Sequence, residues 1–160
     1  RGALRRSRVT TPHDARITPA RPDLAAAHLK DSVAAAHYAQ GHAAQVVHGV
    51  TDLKRAPDAG AALETQLLYG ETFTVYEDKN GWVWGQAQSD SYVGYARSDA
   101  FSSGAASPTH RVAARSTPLL PSADVKAPAR ALLPMNAKVT VVETGERFAR
   151  LVEEIGRAHV

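Results

Sequence analysis

Residues 67–101 decide the fold: LLYGETFTVYEDKNGWVWGQAQSDSYVGYARSDAF. After Gly70 the pattern alternates. Phe73, Val75 and Glu77 fall on one face, and Thr72, Thr74 and Tyr76 on the other, which is the period of a β-strand. DKNG follows, and its Asn80-Gly81 pair supplies the positive φ angles that tight hairpin turns require. WVWGQA, residues 82–87, is therefore predicted to return as a second strand. QSDS turns the chain again, YVGYA forms a third short strand, and RSDAF closes with one tight helical turn.

Several short strands joined by turns, with aromatics near the turns, describe a small, strongly bent β-barrel of SH3-like size. The first barrel is expected over residues 46–101, with QVVHGVTDL as its leading strand and KRAPDAGAALETQ as a loop. Eight of the ten aromatic residues lie between Tyr69 and Phe101, so this region is one compact unit. A barrel this small buries a modest fraction of its surface and is marginal alone.

A partner for it appears further along. LPMNAKVTVVETGERFARLVE, residues 133–153, overlies residues 67–87 at a constant offset of 66. Phe73 to Glu77 lies over Val139 to Glu143, Trp82 over Phe148, and Leu53 over Leu119. The run of β-branched residues, the turn and the aromatic recur, which marks an internal repeat. The expected fold class is mainly β: two tandem SH3-like barrels, the second incomplete, preceded by a basic arm and a short helix.

The expected organisation is a disordered basic arm over 1–21 and a short helical segment over 22–45. The first barrel follows over 46–101, a linker over 102–110, and a shortened second barrel over 111–153. The helix rests on RPDLAAAHL: Pro22 suits a first turn, Asp23 favours a helix N-terminus, and alanine has the best helix propensity. Residues 154–160, EIGRAHV, correspond to one reading frame of a widely used sequencing adapter and are expected to be a non-native tail. The chain begins at Arg1 rather than Met, which leaves room for residues upstream.

The charge of +3 is a property of the arm. Residues 1–30 carry seven Lys and Arg against two Asp, whereas residues 46–101 carry four basic and eight acidic side chains. A nucleic-acid-binding barrel would have the opposite sign, so no nucleic-acid partner is expected. No apolar run reaches the roughly 18 residues of a membrane span, so no membrane partner is expected. No export signal is visible, and a cytoplasmic location is expected. There is no cysteine, hence no disulfide, no thiolate metal site and no thiol nucleophile. His28, His37, His42 and His48 include no helical i, i+4 pair, and no metal or other cofactor is expected.

VVHGVTDLKRAP, LETQLLYGETFTVYE, GWVWGQAQSDSYVGYA and THRVAARSTPLLPSADVKAP together resemble the front of bacterial NlpC-type cysteine peptidases. In that family one or two bacterial SH3-like domains precede a papain-like domain. The resemblance covers residues 17–153 and is densest at TQLLYGE, GWVW and YVGY. It implies a γ-D-glutamyl-L-diamino-acid endopeptidase acting on peptidoglycan stem peptides, with a cysteine nucleophile beside a histidine. This chain departs from the family there, having no cysteine, so no catalytic residue is carried over and this stretch is expected to be inert alone. Its implied partners are the stem peptide and a C-terminal papain-like domain absent from this sequence.

The resemblance also implies that the first barrel walls the substrate cleft and admits short peptides with a free N-terminal alanine. Glu64, Tyr92 and Tyr95 are the residues that would take this gating part. A carboxylate suits an α-ammonium group through a charge-assisted hydrogen bond, and a tyrosine offers an apolar body with a polar tip. Tyr92 and Tyr95 have opposite parity, and Tyr92 is expected to be the available ring, with Val93 and Tyr95 facing inward. Trp82 is expected in the core, and Trp84 is taken as a surface aromatic. The alternative from a different class is a free-standing SH3-like module that binds peptidoglycan peptide or a protein partner.

Overall fold

A computed structural model describes residues 13–152 and the backbone of residues 158–159. The first twelve residues of the expected arm lie outside the described residues, as does most of the expected tail. The fold is mainly β.

The chain enters through β1 (Leu24–Ala26), a single 3-10 turn (Ala27–Leu29) and β2 (His37–Ala39), which runs parallel to β1. The segment expected to be a short helix is thus a strand pair with one turn between. Alanine's helix preference is only a few tenths of a kcal/mol per residue over its competitors, and a helix this short is not stable alone. Complete burial of Ala25 and Ala26 outweighs it.

Seven further strands build the first barrel: β3 (His42–Val46), β4 (Val50–Lys54), β5 (Leu63–Leu68), β6 (Thr72–Lys79), β7 (Trp82–Ala87), β8 (Val93–Arg97) and β9 (Phe101–Ser103). They form one coiled antiparallel sheet in the order β5-β4-β8-β7-β6-β3-β9. Asn80 and Gly81 have φ of 54° and 77°, and Lys79 pairs with Trp82 across them, so this is a two-residue hairpin. Val46, Leu53, Leu67, Phe73, Val75, Val83 and Ala96 make the core, with Tyr92 and Phe101 packed against it. The rings of Phe73 and Phe101 stand 5.0 Å apart.

The remaining strands are β10 (His110–Arg111), β11 (Ser116–Leu119), β12 (Ala131–Pro134), β13 (Lys138–Val139), β14 (Val141–Thr144), β15 (Ala149–Leu151) and β16 (Ala158–His159). Their pairings reproduce the first barrel at the same offset. Leu53 pairs with Thr65, and Leu119 with Ala131. Ala44 pairs with Phe73, and His110 with Val139. Val75 pairs with Gly85 and Val141 with Leu151, each followed by a bulge before Glu77 or Glu143. Two residues of the tail, β16, pair with β15 where the first barrel has β8, but two positions out of equivalent register.

The second unit has its own small core of Leu119, Leu133, Ala137, Val139 and Leu151, onto which Tyr69 of the first barrel packs. The backbone N–H of Lys138 donates to the Tyr69 carbonyl at 2.8 Å, which joins the units across their seam. No helix among the described residues is long and apolar enough to cross a membrane.

Candidate functional site

The facing of β7 and β8 decides what this barrel offers to solvent. Gly85 lies under the ring of Phe73, where any Cβ would overlap that ring and the Thr74 carbonyl. Only glycine fits, so the inner face of β7 consists of Val83, Gly85 and Ala87, and both tryptophans point outward. Across the ladder Val83 pairs with Ala96, whereas Trp84 pairs with Tyr95 and Trp82 with Arg97. The bulge in β6 then turns Glu77 to the same outer face, opposite Trp84.

This corrects three expectations. Trp82 is not a core residue: it is half-buried, with the Arg97 guanidinium 5.4 Å from its ring. Trp84 lies on the outer face but is only 3% exposed, because the entering chain covers it. Of the two tyrosines, both half-buried, Tyr92 packs against the core and Tyr95 lines the clefts of the outer face. Val93 and Tyr95 do share a face, but it is the outer one.

The covering segment is a strap formed by residues 14–26. The Arg16 carbonyl accepts from the Val93 N–H at 2.7 Å, and the Ile17 carbonyl accepts from Gln86 Nε2 at 2.9 Å. Arg21 lies at its centre. Its guanidinium sits 4.4 Å from the centroid of Trp84 and 5.7 Å from that of Tyr95. Its Nη1 donates to Glu77 Oε2 and to the Tyr95 hydroxyl, both at 2.9 Å. Nε and Nη2 grip Asp23 at 3.0 and 2.7 Å. Burial opposes the Arg21 charge, but the hydrogen bonds to Asp23 and Glu77 more than offset it, so its pKa is raised. Tyr76, whose ring lies 5.8 Å from Trp84, has its pKa pushed up by burial.

Two clefts flank this wedge, and both include Arg21 and Tyr95. One, of about 450 Å³, is lined by Arg16, Arg55, Glu64, Trp84 and Val93 as well. The other, of about 640 Å³, adds Pro22, Asp23, Pro57, Glu77 and Trp82. The fold thus brings Glu64, Trp84 and Tyr95 into one cleft and leaves Tyr92 out of its lining. Glu64 Oε1 accepts from Arg55 Nε at 2.5 Å; the Glu64 side chain is 9% exposed and that of Arg55 69%. Its Oε2 makes no hydrogen bond among the described residues.

A further cleft of about 420 Å³ lies along the seam between the units, lined by Tyr69, Phe101, Leu119, Val139 and Leu151 among others. None of the four expected site residues borders it. Among the described residues no three His, Asp or Glu side chains come together as metal ligands.

Residues 53–101 match the family described as the bacterial dipeptidyl-peptidase SH3 domain. This part of the chain is similar to bacterial SH3 domains. Among solved structures the chain is similar over part of its length to an NlpC/P60 family protein from Bacillus cereus ATCC 10987. The identity is 15% and the TM-score 0.58, over 73% of this chain and 53% of that one. It also matches NlpC1 from Trichomonas vaginalis at 10% identity and a TM-score of 0.35, over 76% of this chain and 44% of that one. The Bacillus likeness is one of fold, and the chain spans about half the length of that protein. No curated protein matches the chain.

The match to the SH3 domain spans Leu53 to Phe101 and so takes in Glu64, Trp84 and Tyr95, but not the strap. Sequence reasoning missed Arg21 altogether, placing it at the end of a basic arm. The only local signal is Asp23 two residues on, a spacing that lets the carboxylate grip its guanidinium.

Proposed function

We propose that the chain is the substrate-gating region of a cysteine endopeptidase that acts on peptidoglycan stem peptides. Its chemistry would come from a papain-like domain outside this sequence. The observation that carries this reading is the presence of Glu64 and Tyr95 in one cleft of the SH3 domain's outer face. Glu64 accepts the free α-ammonium of the peptide through Oε2, sharing the carboxylate with Arg55. Tyr95 supplies a flat apolar wall and a hydroxyl beside it. The Arg55 hydrogen bond occupies Oε1 alone, which leaves Oε2 for an incoming ammonium. A cytoplasmic site of action goes with this reading, since its substrate is a short released peptide; fractionation of cells producing the protein checks it.

The test uses the chain joined to its catalytic domain, with an L-alanyl-γ-D-glutamyl-diamino-acid peptide as substrate. Glu64→Gln should raise KM about tenfold, the order expected for one charge-assisted hydrogen bond, and leave kcat nearly unchanged. An unchanged KM would remove Glu64 from the site. Acetylating the peptide's amino terminus should cost the native protein a similar factor and the variant much less.

A further inference from the structure

We infer that Arg21 is a positioning residue that makes Tyr95 a dedicated hydrogen-bond donor, so that the cleft reads a carbonyl oxygen next to the ammonium taken by Glu64. The inference rests on the functional reading above and adds to it a residue that acts through Tyr95 rather than on the peptide itself.

A phenolic oxygen donates one proton and accepts through its lone pairs. At Tyr95 Arg21 Nη1 donates to the hydroxyl oxygen at 2.9 Å, and the positive charge beside that oxygen disfavours a second cationic donor there. A guanidinium has no acceptor to offer in return. The proton of Tyr95 has no acceptor among the described residues, although the ring borders both clefts. The hydroxyl therefore presents a donor to whatever enters.

Arg21 suits this task because it cannot move or lose its charge easily. Its side chain is 17% exposed and bridges Asp23, Glu77 and the rings of Trp84 and Tyr95. Glu77 points to this face because of the bulge in β6. A lysine would keep the charge but not the fork that reaches Asp23, Glu77 and Tyr95 together.

Glu64 supplies the opposite polarity. Its carboxylate is acceptor-only when ionised, and Oε2 has no partner among the described residues. An ammonium on Glu64 and an acceptor oxygen on Tyr95 are the two polar ends of an N-terminal residue. The geometry disfavours a second ammonium at Tyr95, where Arg21 already stands.

The experiment titrates the full chain with L-alanyl-L-alanine and with isopropylamine, the same ammonium without the carbonyl, following amide shifts by NMR. The native chain should prefer the dipeptide about tenfold, the worth of one hydrogen bond to a charged or polarised group. Tyr95→Phe and Arg21→Lys should each erase that preference and leave isopropylamine affinity unchanged, and the double variant should lose nothing more. Tyr95→Phe keeps the ring against Arg21, so it remains informative if Arg21→Lys unfolds.

Retention of the preference in Tyr95→Phe, or in a folded Arg21→Lys, overturns the inference. So does a parallel fall for both probes, which is the mark of a purely structural role. Dipeptide binding that resists Glu64→Gln but needs Tyr95 and Arg21 counts against the ammonium site and supports the positioning role. Failure of the native chain to bind either probe removes both.

Discussion

Gly70 and Asn136 hold equivalent places in the two repeated units, and both have a positive φ, 78° and 73°. Each ends the tight turn before the strand that crosses its unit, at Thr72 or Lys138. In the second unit asparagine takes the place of glycine, the replacement best tolerated in left-handed backbone. Gly70 has a further constraint, since a Cβ there would overlap the Lys138 carbonyl at the seam.

Gly70→Ala should therefore cost more than the roughly 1–2 kcal/mol of a left-handed alanine, because the seam must open as well. Asn136→Gly should stay within about 0.5 kcal/mol, its gain in backbone freedom offsetting its loss of a side chain. Urea denaturation followed by tryptophan emission measures both. Equal effects at the two positions would argue against the seam contact.

The two tryptophans should respond unequally to truncation. Trp84→Ala removes a buried ring held between Arg21 and Tyr76 and should cost about 3–5 kcal/mol. Trp82→Ala removes a half-buried ring stacked on Arg97 and should cost about half as much or less. The comparison of melting temperatures is direct, and the reverse order would mean that the strap does not cover Trp84.

Tyr92→Ala should destabilise the barrel by about 2–4 kcal/mol, since this ring packs against the core. Tyr95→Phe should cost only about 0.5–1.5 kcal/mol, the net worth of one hydrogen bond. Circular dichroism melts separate the two, and a stable Tyr92→Ala would place that ring outside the core.

Thr51 buries its hydroxyl without a hydrogen-bond partner among the described residues. A buried polar group in that state costs about 1–3 kcal/mol, so Thr51→Val, of similar shape, should be neutral or stabilising by up to about 1 kcal/mol. A clear loss of stability in a denaturant titration would show that the hydroxyl has a partner in solution.

The strap should carry a low-pH signature. Hydrogen bonds from the Arg16 side chain and then its backbone N–H hold the Asp14 carboxyl down to about 2, against an ordinary 3.8. A depressed folded-state pKa contributes stability that is present above the unfolded value and lost as the pH falls through the folded one. The Asp14 side-chain carbon should therefore titrate near pH 2, and the Val93 amide, bonded to the Arg16 carbonyl, should lose exchange protection as the pH falls from 3.8 to about 2. A midpoint near 4 would mean that the Asp14–Arg16 turn is not populated.

Much of the fold is legible along the chain because its signals are local. The alternation from Thr72 to Val75, the Asn80-Gly81 turn and the offset repeat each involve neighbours in sequence. The helix expected at RPDLAAAHL fails for the complementary reason. Alanine's preference is weak, and the strand at Leu24–Ala26 is fixed by pairing with His37–Ala39, beyond the reach of a helical turn, with Ala25 and Ala26 fully buried. Glu64 and Tyr95 could be named from their motifs. Arg21 could not, because its partners Glu77, Trp84 and Tyr95 lie more than fifty residues downstream.

What the sequence by itself determined is the three strands between Thr72 and Arg97, the hairpin that joins the first two and the alternation of each between two faces. What only the tertiary structure decided is which face is inside. A period of two is symmetric between faces, and the tryptophans of β7 are as apolar as the Val83, Gly85 and Ala87 between them. Phe73 breaks the symmetry, because its ring leaves room across the ladder for glycine alone. That single contact turns Trp84 and Tyr95 outward, where Arg21 and Glu64 meet them.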